Sequence, residues 1–243
     1  MISLEHVTHS FGTYPALDDL SVNVESGEVL AMVGLNGAGK TTALRVLTGR
    51  LRPDHGKAAI LDHNPADLSQ HFARRFGHFV GAPLAYPELT VTENVRNAAR
   101  LHGLDRPQSR AATRAAIERL DLEEWAETGA SSLSSGNYQR LGIACALVHS
   151  PDVLILDEPT TALDPRGVIL VRDLVRGLAA EGGAVLVSSH HLDEVARVAD
   201  RIVTVHAGRV VGTLEPGGTD LERRFFAIVY QADMRSPLEE GTQ

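Results

Sequence analysis

The chain is predicted to fold as an α/β domain. It should have a phosphate-loop core with a mostly parallel sheet, an antiparallel β subdomain and a helical subdomain inserted into it. Three observations predict this. A continuous apolar run at Val29–Val33 and strand-like runs at Val153–Leu156, Ala184–Val187 and Ile202–Val205 alternate with helical stretches, as strands of a covered parallel sheet should. Leu20–Val24 instead alternates apolar and polar residues, the pattern of a half-exposed antiparallel strand. Between Pro87 and about Val148 the character changes to helical spacing.

In chain order, Ile2–Thr8 alternates weakly and gives way to a turn-rich break at Ser10–Pro15. The Leu20–Val24 strand ends at Ser26-Gly27, and the Val29–Val33 run ends at Gly34. Leu44, Leu47 and Leu51 then follow at i, i+3, i+7, so a helix is expected after the glycine loop. Thr92–Val95 opens a second helical stretch, and Ala111–Leu122, rich in Arg, Glu, Ala and Leu, forms a third. Another helix follows Leu133–Gly136, with Leu141, Ala144, Cys145 and Val148 on one face and Trp125 expected to pack in the insertion. Helices are expected near 166–181 and 192–199, and a polar tail holds a short helix at Leu221–Phe226. Residues 1–215 therefore read as one domain with 87–148 inserted, and 216–243 as a C-terminal tail. No internal repeat or low-complexity segment interrupts it.

A length of 243 residues suits one large α/β domain or two small ones, and needs neither disulfide nor structural metal. The net charge is −8, and the longest basic clusters are pairs such as Arg74-Arg75 and Arg223-Arg224. Sequence-independent binding to nucleic acid needs clustered cations, so no nucleic-acid partner is expected. Acidity does not exclude a nucleotide, because a phosphate loop works through local backbone N–H groups. Cys145 is the sole cysteine and sits in an apolar helical stretch, where a buried, inert thiol is expected. The first residues lack a basic segment followed by a long apolar one, and no run approaches 18 apolar residues. Neither a signal peptide nor a membrane span is expected. His63, His71 and His78 lack tight metal-ligand spacing.

Two motifs carry chemistry on their own. Gly34-Leu-Asn-Gly-Ala-Gly-Lys-Thr-Thr42 matches G-x-x-x-x-G-K-[ST] between an apolar strand and a helix. Its glycines Gly34, Gly37 and Gly39, with Asn36 and Thr42 in the same loop, let backbone N–H groups wrap a triphosphate. Lys40 neutralises the phosphates and the Thr41 hydroxyl ligates Mg²⁺. Val153–Leu156 delivers Asp157 and Glu158 to the carboxyl end of a buried strand, where open α/β sheets bind ligands. Asp157 is expected to hold Mg²⁺, and Glu158 to orient or deprotonate the attacking water.

With Leu133-Ser-Ser-Gly-Asn137 and Ser188-Ser-His-His191 in the same order, the chain resembles the ATP-binding cassette (ABC) ATPase family from about Ile2 to about residue 215. The resemblance implies the nucleotide-hydrolysing subunit of a membrane transporter, with ATP and Mg²⁺ as cofactors. Its partners would be separate integral membrane permease subunits and a second ATP-binding subunit in a homo- or heterodimer. Its place would be peripheral, at the cytoplasmic face of the membrane. Family members usually read Leu-Ser-Gly-Gly-Gln, so Ser135 and Asn137 depart, while Ser134 and Gly136, which touch the γ-phosphate held by the second subunit, are retained. By the same resemblance His190, two residues after Ser188, is the switch histidine, and Asp164 in Ala162-Leu-Asp-Pro165 communicates between the two sites. Phe11 stands at the aromatic position that stacks on adenine, with Tyr14 a nearby competitor.

One position breaks the pattern. Counting back from Tyr86-Pro-Glu-Leu-Thr-Val91 puts Gly81 where the family carries a glutamine that contacts Mg²⁺ and the attacking water. A glycine can do neither job. Slow turnover, or strong dependence on the partner, is the expectation. The Leu-Ser-Ser-Gly-Asn-Tyr-Gln-Arg form and the short tail look most like ATPases of bacterial drug, antibiotic or peptide exporters. An importer ATPase, an accessory module that hydrolyses little ATP and a soluble ATPase acting on DNA or ribosomes are the rival readings.

Overall fold

A computed structural model describes residues 1–235 apart from Leu68 and Pro83, and the side chains of Gln70, His71 and Arg235 fall outside the description, as does the tail expected beyond 235. The chain opens with two long strands, β1 (Ile2–Phe11) and β2 (Tyr14–Val24), then β3 (Val29–Val33) and α1 (Lys40–Leu47). Next come β4 (His55–Ile60), α2 (Gln70–Ala73), β5 (Phe76–Phe79), α3 (Val91–Leu101), α4 (Arg106–Arg119) and α5 (Ser135–Leu147). The second half runs β6 (Val153–Asp157), α6 (Pro165–Ala180), β7 (Ala184–Ser189), α7 (Leu192–Val195), β8 (Arg201–His206), β9 (Arg209–Leu214) and α8 (Leu221–Arg235).

The strands form two sheets. β2-β1-β4 is antiparallel; β5-β6-β7-β3-β8-β9 is parallel except for its edge strand β9. Period-two alternation sorts the parallel strands' side chains between two cores. Val29, Ala31, Val33, Leu154, Leu156, Val185 and Val187 face the helical insertion, α6 and α8. Leu30, Met32, Val153, Ile155 and Leu186 face α1 and the antiparallel sheet. Both faces are covered, which is why these runs contain no polar residue until their carboxyl ends.

Several boundaries differ from expectation for local reasons. The break at Ser10–Pro15 shrinks to Gly12-Thr13, because Gly12 turns the hairpin at φ 63° and Phe11 pairs Tyr14. Leu51 lies beyond α1, whose end is followed by Gly49 at φ 69°. The helix expected from Ala111 starts at Arg106, where Asp105 accepts from Gln108 N–H and the Gln108 side chain returns the bond. The helix expected over 192–199 stops at Val195. Trp125 ends a short 3₁₀ turn, exposed rather than packed in the insertion. The short tail helix is in fact 15 residues long. Its Phe225 and Val229, one turn apart, bury into the core, and Ile228 closes over Gly212 of β9.

Candidate nucleotide site

The carboxyl ends of β3, β6 and β7 lie side by side, so residues far apart in sequence converge there. β3 leads into the loop 34–39. Gly34 passes so close to β8 that a Cβ would stand 2.4 Å from Val205 O. Gly39, at φ 104°, presses on β2, with Ala16 O 2.6 Å from where its Cβ would be. The loop path is therefore closed to larger residues at both ends.

Lys40 begins α1 but its side chain folds back into the loop. Its Nζ donates to Gly34 O at 2.8 Å and Leu35 O at 3.4 Å, and lies 3.7 Å from Glu158 Oε1. Burial lowers its pKa, opposed by the charges of Glu158 and Asp157. Lys40 is thus a buried ammonium held in the loop by two carbonyl oxygens and facing Glu158, and it is the positive charge that a phosphate entering the loop would meet.

Asp157 ends β6 beside Ser188 of β7, whose hydroxyl donates to Asp157 Oδ1 at 2.5 Å. Glu158 follows in the left-handed region at φ 47°. Its N–H donates to both Ser188 O and Ser188 Oγ at 3.1 Å. Its Oε2 sits 2.8 Å from His190 Nδ1 and accepts from His190 N–H at 3.3 Å. A carboxylate only accepts, so Nδ1 carries a proton and the ring is oriented by Glu158. His191 N–H donates to Ser189 Oγ, and its ring lies against that of His190, with centroids 3.9 Å apart.

Lys40, Asp157, Glu158 and His190 thus meet in one cluster. Ser134 and Gly136 lie elsewhere. Ser134 caps α5, accepting from Asn137 N–H at 3.3 Å, and Gly136 abuts Ala162 O. Asp164 caps α6, accepting from Gly167 N–H at 2.8 Å and Arg140 Nη2 at 2.6 Å, and these bonds lower its pKa. Phe11 and Tyr14 are paired and both exposed, with Phe11 edge-on to His9. The hairpin leaves both aromatic rings available.

Asn36 and Gly37 are exposed at the tip of the loop; Thr41 and Thr42 are half-buried in the first turn of α1. The oxygens of Thr41 and Asp157 are the hard donors Mg²⁺ prefers. Among the described residues, no three His, Cys, Asp or Glu side chains form a ready-made metal cage. Cation binding here would draw further oxygens from a triphosphate and water. Gly81 follows β5, and continuing the Phe79–Leu156 register sets it beside Glu158. It is exposed at φ 75° with open space where a Cβ would stand.

Ser188, Gln139 and Arg140 carry contacts to which the motif reading gave no role. Ser188 had a signal, a polar pair ending an otherwise apolar strand. Gln139, whose Nε2 donates to Glu158 O at 3.0 Å, had none, since helix exteriors are commonly polar.

This geometry defines a phosphate-loop nucleotide-binding domain of the α/β class. The sequence model described as ABC transporter matches residues 17–161, more than half of the chain, and the chain belongs to that family as its ATP-binding, ATP-hydrolysing cassette. It is 35% identical over 212 residues to the bacitracin transport ATP-binding protein BcrA of Bacillus licheniformis, spanning 87% of this chain and 68% of that protein. It is 38% identical over 210 residues to the daunorubicin resistance ATP-binding protein DrrA3 of Streptomyces coeruleorubidus, spanning 86% of this chain and 66% of that one. The chain thus covers about two thirds of these relatives' length. Among solved structures, it is similar to the dimeric structure of MJ0796, a bacterial ABC transporter cassette. The TM-score is 0.82 and the identity 26%, covering 90% of this chain and all of that one.

Proposed function

We propose that the chain is the ATPase subunit of an exporter, acting as a dimer at the cytoplasmic face of the membrane on separate permease subunits. The observation that carries its chemistry is the Lys40–Glu158–His190 cluster, which sets a carboxylate between a buried ammonium and an oriented imidazole. Lys40 and the loop residues Gly34, Asn36, Gly37, Gly39, Thr41 and Thr42 bind the phosphates. Glu158 takes or orients the proton of the attacking water, and His190, its Nδ1–H on Glu158, offers Nε2 toward the reacting group. Thr41 and Asp157 hold Mg²⁺, which neutralises charge on the phosphate oxygens when bound.

Export is supported by the names of the relatives, bacitracin transport and daunorubicin resistance, which point to drug-like cargo. Among the described residues no helix is long and apolar enough to cross a membrane, which suits a peripheral subunit. The dimeric neighbour supports pairing of two cassettes, in which Ser134 and Gly136 complete the partner's nucleotide site. A second reading, an assembly module with little hydrolysis, is favoured by Gly81 alone.

Glu158→Gln tests the reading. Phosphate release should fall at least about 100-fold while binding of a fluorescent ATP analogue persists. Unchanged hydrolysis would remove Glu158 from the chemistry and overturn the assignment.

A further inference from the structure

The turn that leaves β6 holds two non-glycine residues in the left-handed region, Glu158 at φ 47° and Ala162 at φ 66°. Such conformations persist only where surrounding contacts hold them. Here the contacts come from one face of α5, at spacing i, i+3, i+4. Gly136 lets Ala162 O approach to within 2.9 Å of where a Cβ would stand. Gln139 Nε2 donates to Glu158 O at 3.0 Å, beside the turn's own Thr161 N–H at 3.2 Å. Arg140 Nη2 donates to Asp164 Oδ1 at 2.6 Å, and its Nη1 lies 3.6 Å from Asp121 Oδ2.

Glu158 is thereby clamped at both ends of its main chain. β7 holds its N–H through Ser188, and α5 holds its carbonyl through Gln139. Rotation of the Glu158 backbone re-aims its side chain, so these bonds help to fix the direction of the carboxylate. Loss of the Gln139 bond would leave the carbonyl on Thr161 N–H alone and loosen the aim of the carboxylate at His190 Nδ1, 2.8 Å away.

We propose that Gln139 is a positioning residue for Glu158. The Gly136–Gln139–Arg140 face makes α5 a lever, joining the segment that begins at Ser134 to this same chain's own carboxylate. The inference rests on the reading of Glu158 as the carboxylate acting on water. A phosphate engaged at the start of α5 would then be felt at the acid of the chain that engages it, independently of the route through Asp164.

The test is steady-state ATP hydrolysis by the full chain bearing Gln139→Met, which keeps length and loses the donor. A single neutral hydrogen bond corresponds to about a three- to tenfold fall in kcat, with the KM for ATP moving less than about twofold. In a Glu158→Asp background, where the carboxylate is already misplaced, the same substitution should cost less than about twofold. Gln139→Leu, uncharged and likewise without a donor, serves if the Met variant does not fold. An unchanged kcat, a rise in KM at constant kcat, or a full multiplicative loss in the Glu158→Asp background would each overturn the proposal. Failure of the underlying reading looks different, because Glu158→Gln would then leave hydrolysis intact.

Discussion

Mild acid should loosen the joint between the parallel core and the helical insertion, and three histidines are the cause. His78 lies on β5, His102 just after α3 and His149 just after α5. The rings of His102 and His149 stack at 3.6 Å and within 2° of parallel. His102 Nδ1 donates to Ala73 O at 2.5 Å, and His149 Nε2 donates to Phe76 O at 3.2 Å, leaving His149 Nδ1 buried without a partner. Arg50 Nη2 lies 3.3 Å from His78 Nε2, and since a guanidinium can only donate, that nitrogen must be bare.

Burial, with the charge of Arg50 and the neighbouring His102, pushes His78 down to about 4. Burial and His102 push His149 down to about 3. His102 is lowered as well, mainly by burial. The unfolded chain takes up protons as pH falls through about 6.5, whereas the folded rings resist until pH 4 or 3. Stability is therefore full above pH 6.5 and is lost between 6.5 and those lower values. At pH 5 each of the two strongly shifted rings costs about 2 kcal/mol. Solvent screening at half-buried His78 brings the pair to roughly 3 kcal/mol. For a domain of this size that is roughly 6–12 °C in Tm. Calorimetry of the wild type and of a His78→Gln/His149→Gln variant at pH 7.5 and 5.0 measures it; Gln at 149 can still donate to Phe76 O. The variant should lose about that much less Tm on acidification. Equal losses in both proteins would refute the reasoning, whatever the variant's baseline at pH 7.5.

Two further outcomes follow from particular residues. Gly81→Gln should raise unstimulated hydrolysis if the missing side chain limits turnover, at a cost of about 1 kcal/mol for an L-residue at φ 75°. Gly81→Asn, better tolerated in that region, separates strain from chemistry, and a Gln variant no faster than wild type would remove Gly81 as a reason to expect slow turnover. Burial pushes the Cys145 thiol up to about 12, so it should resist iodoacetamide at pH 8 until the chain is denatured. Rapid labelling of the native protein would contradict that placement.

What was legible in the sequence was whatever burial writes as an uninterrupted pattern. β3, β6 and β7 are covered on both faces, so each reads as an apolar run, and their ends carry Gly34, Asp157 and Ser188 into one place; β8 is buried likewise but holds Thr204 within it. The strands that escaped notice are short or lie at edges. β4 is mostly exposed, and β5 is four residues interrupted by a glycine and a histidine. The start of α4 was hidden because its first turn is polar and is fixed by a cap rather than by apolar spacing. α8 read as polar tail because only Phe225 and Val229 of its large apolar residues are buried, while Phe226, Tyr230 and Met234 face outward. The site's composition was readable, but its mutual support was not. Nothing in local sequence says that a helix after residue 134 reaches the carbonyl of Glu158.

That support bears on why one chain is half a machine on the proposed reading. The face of α5 that holds the Glu158–Asp164 turn is turned inward, with Arg140 buried and Gly136 against Ala162. The start of the same helix points the other way: Ser134 and Ser135 are exposed. On the proposed reading a second chain's nucleotide meets Ser134 while Gln139, one turn further along the same helix, keeps its bond to the Glu158 carbonyl. One helix would then serve two sites, and the Gln139 variants are the way to tell whether they are coupled through it.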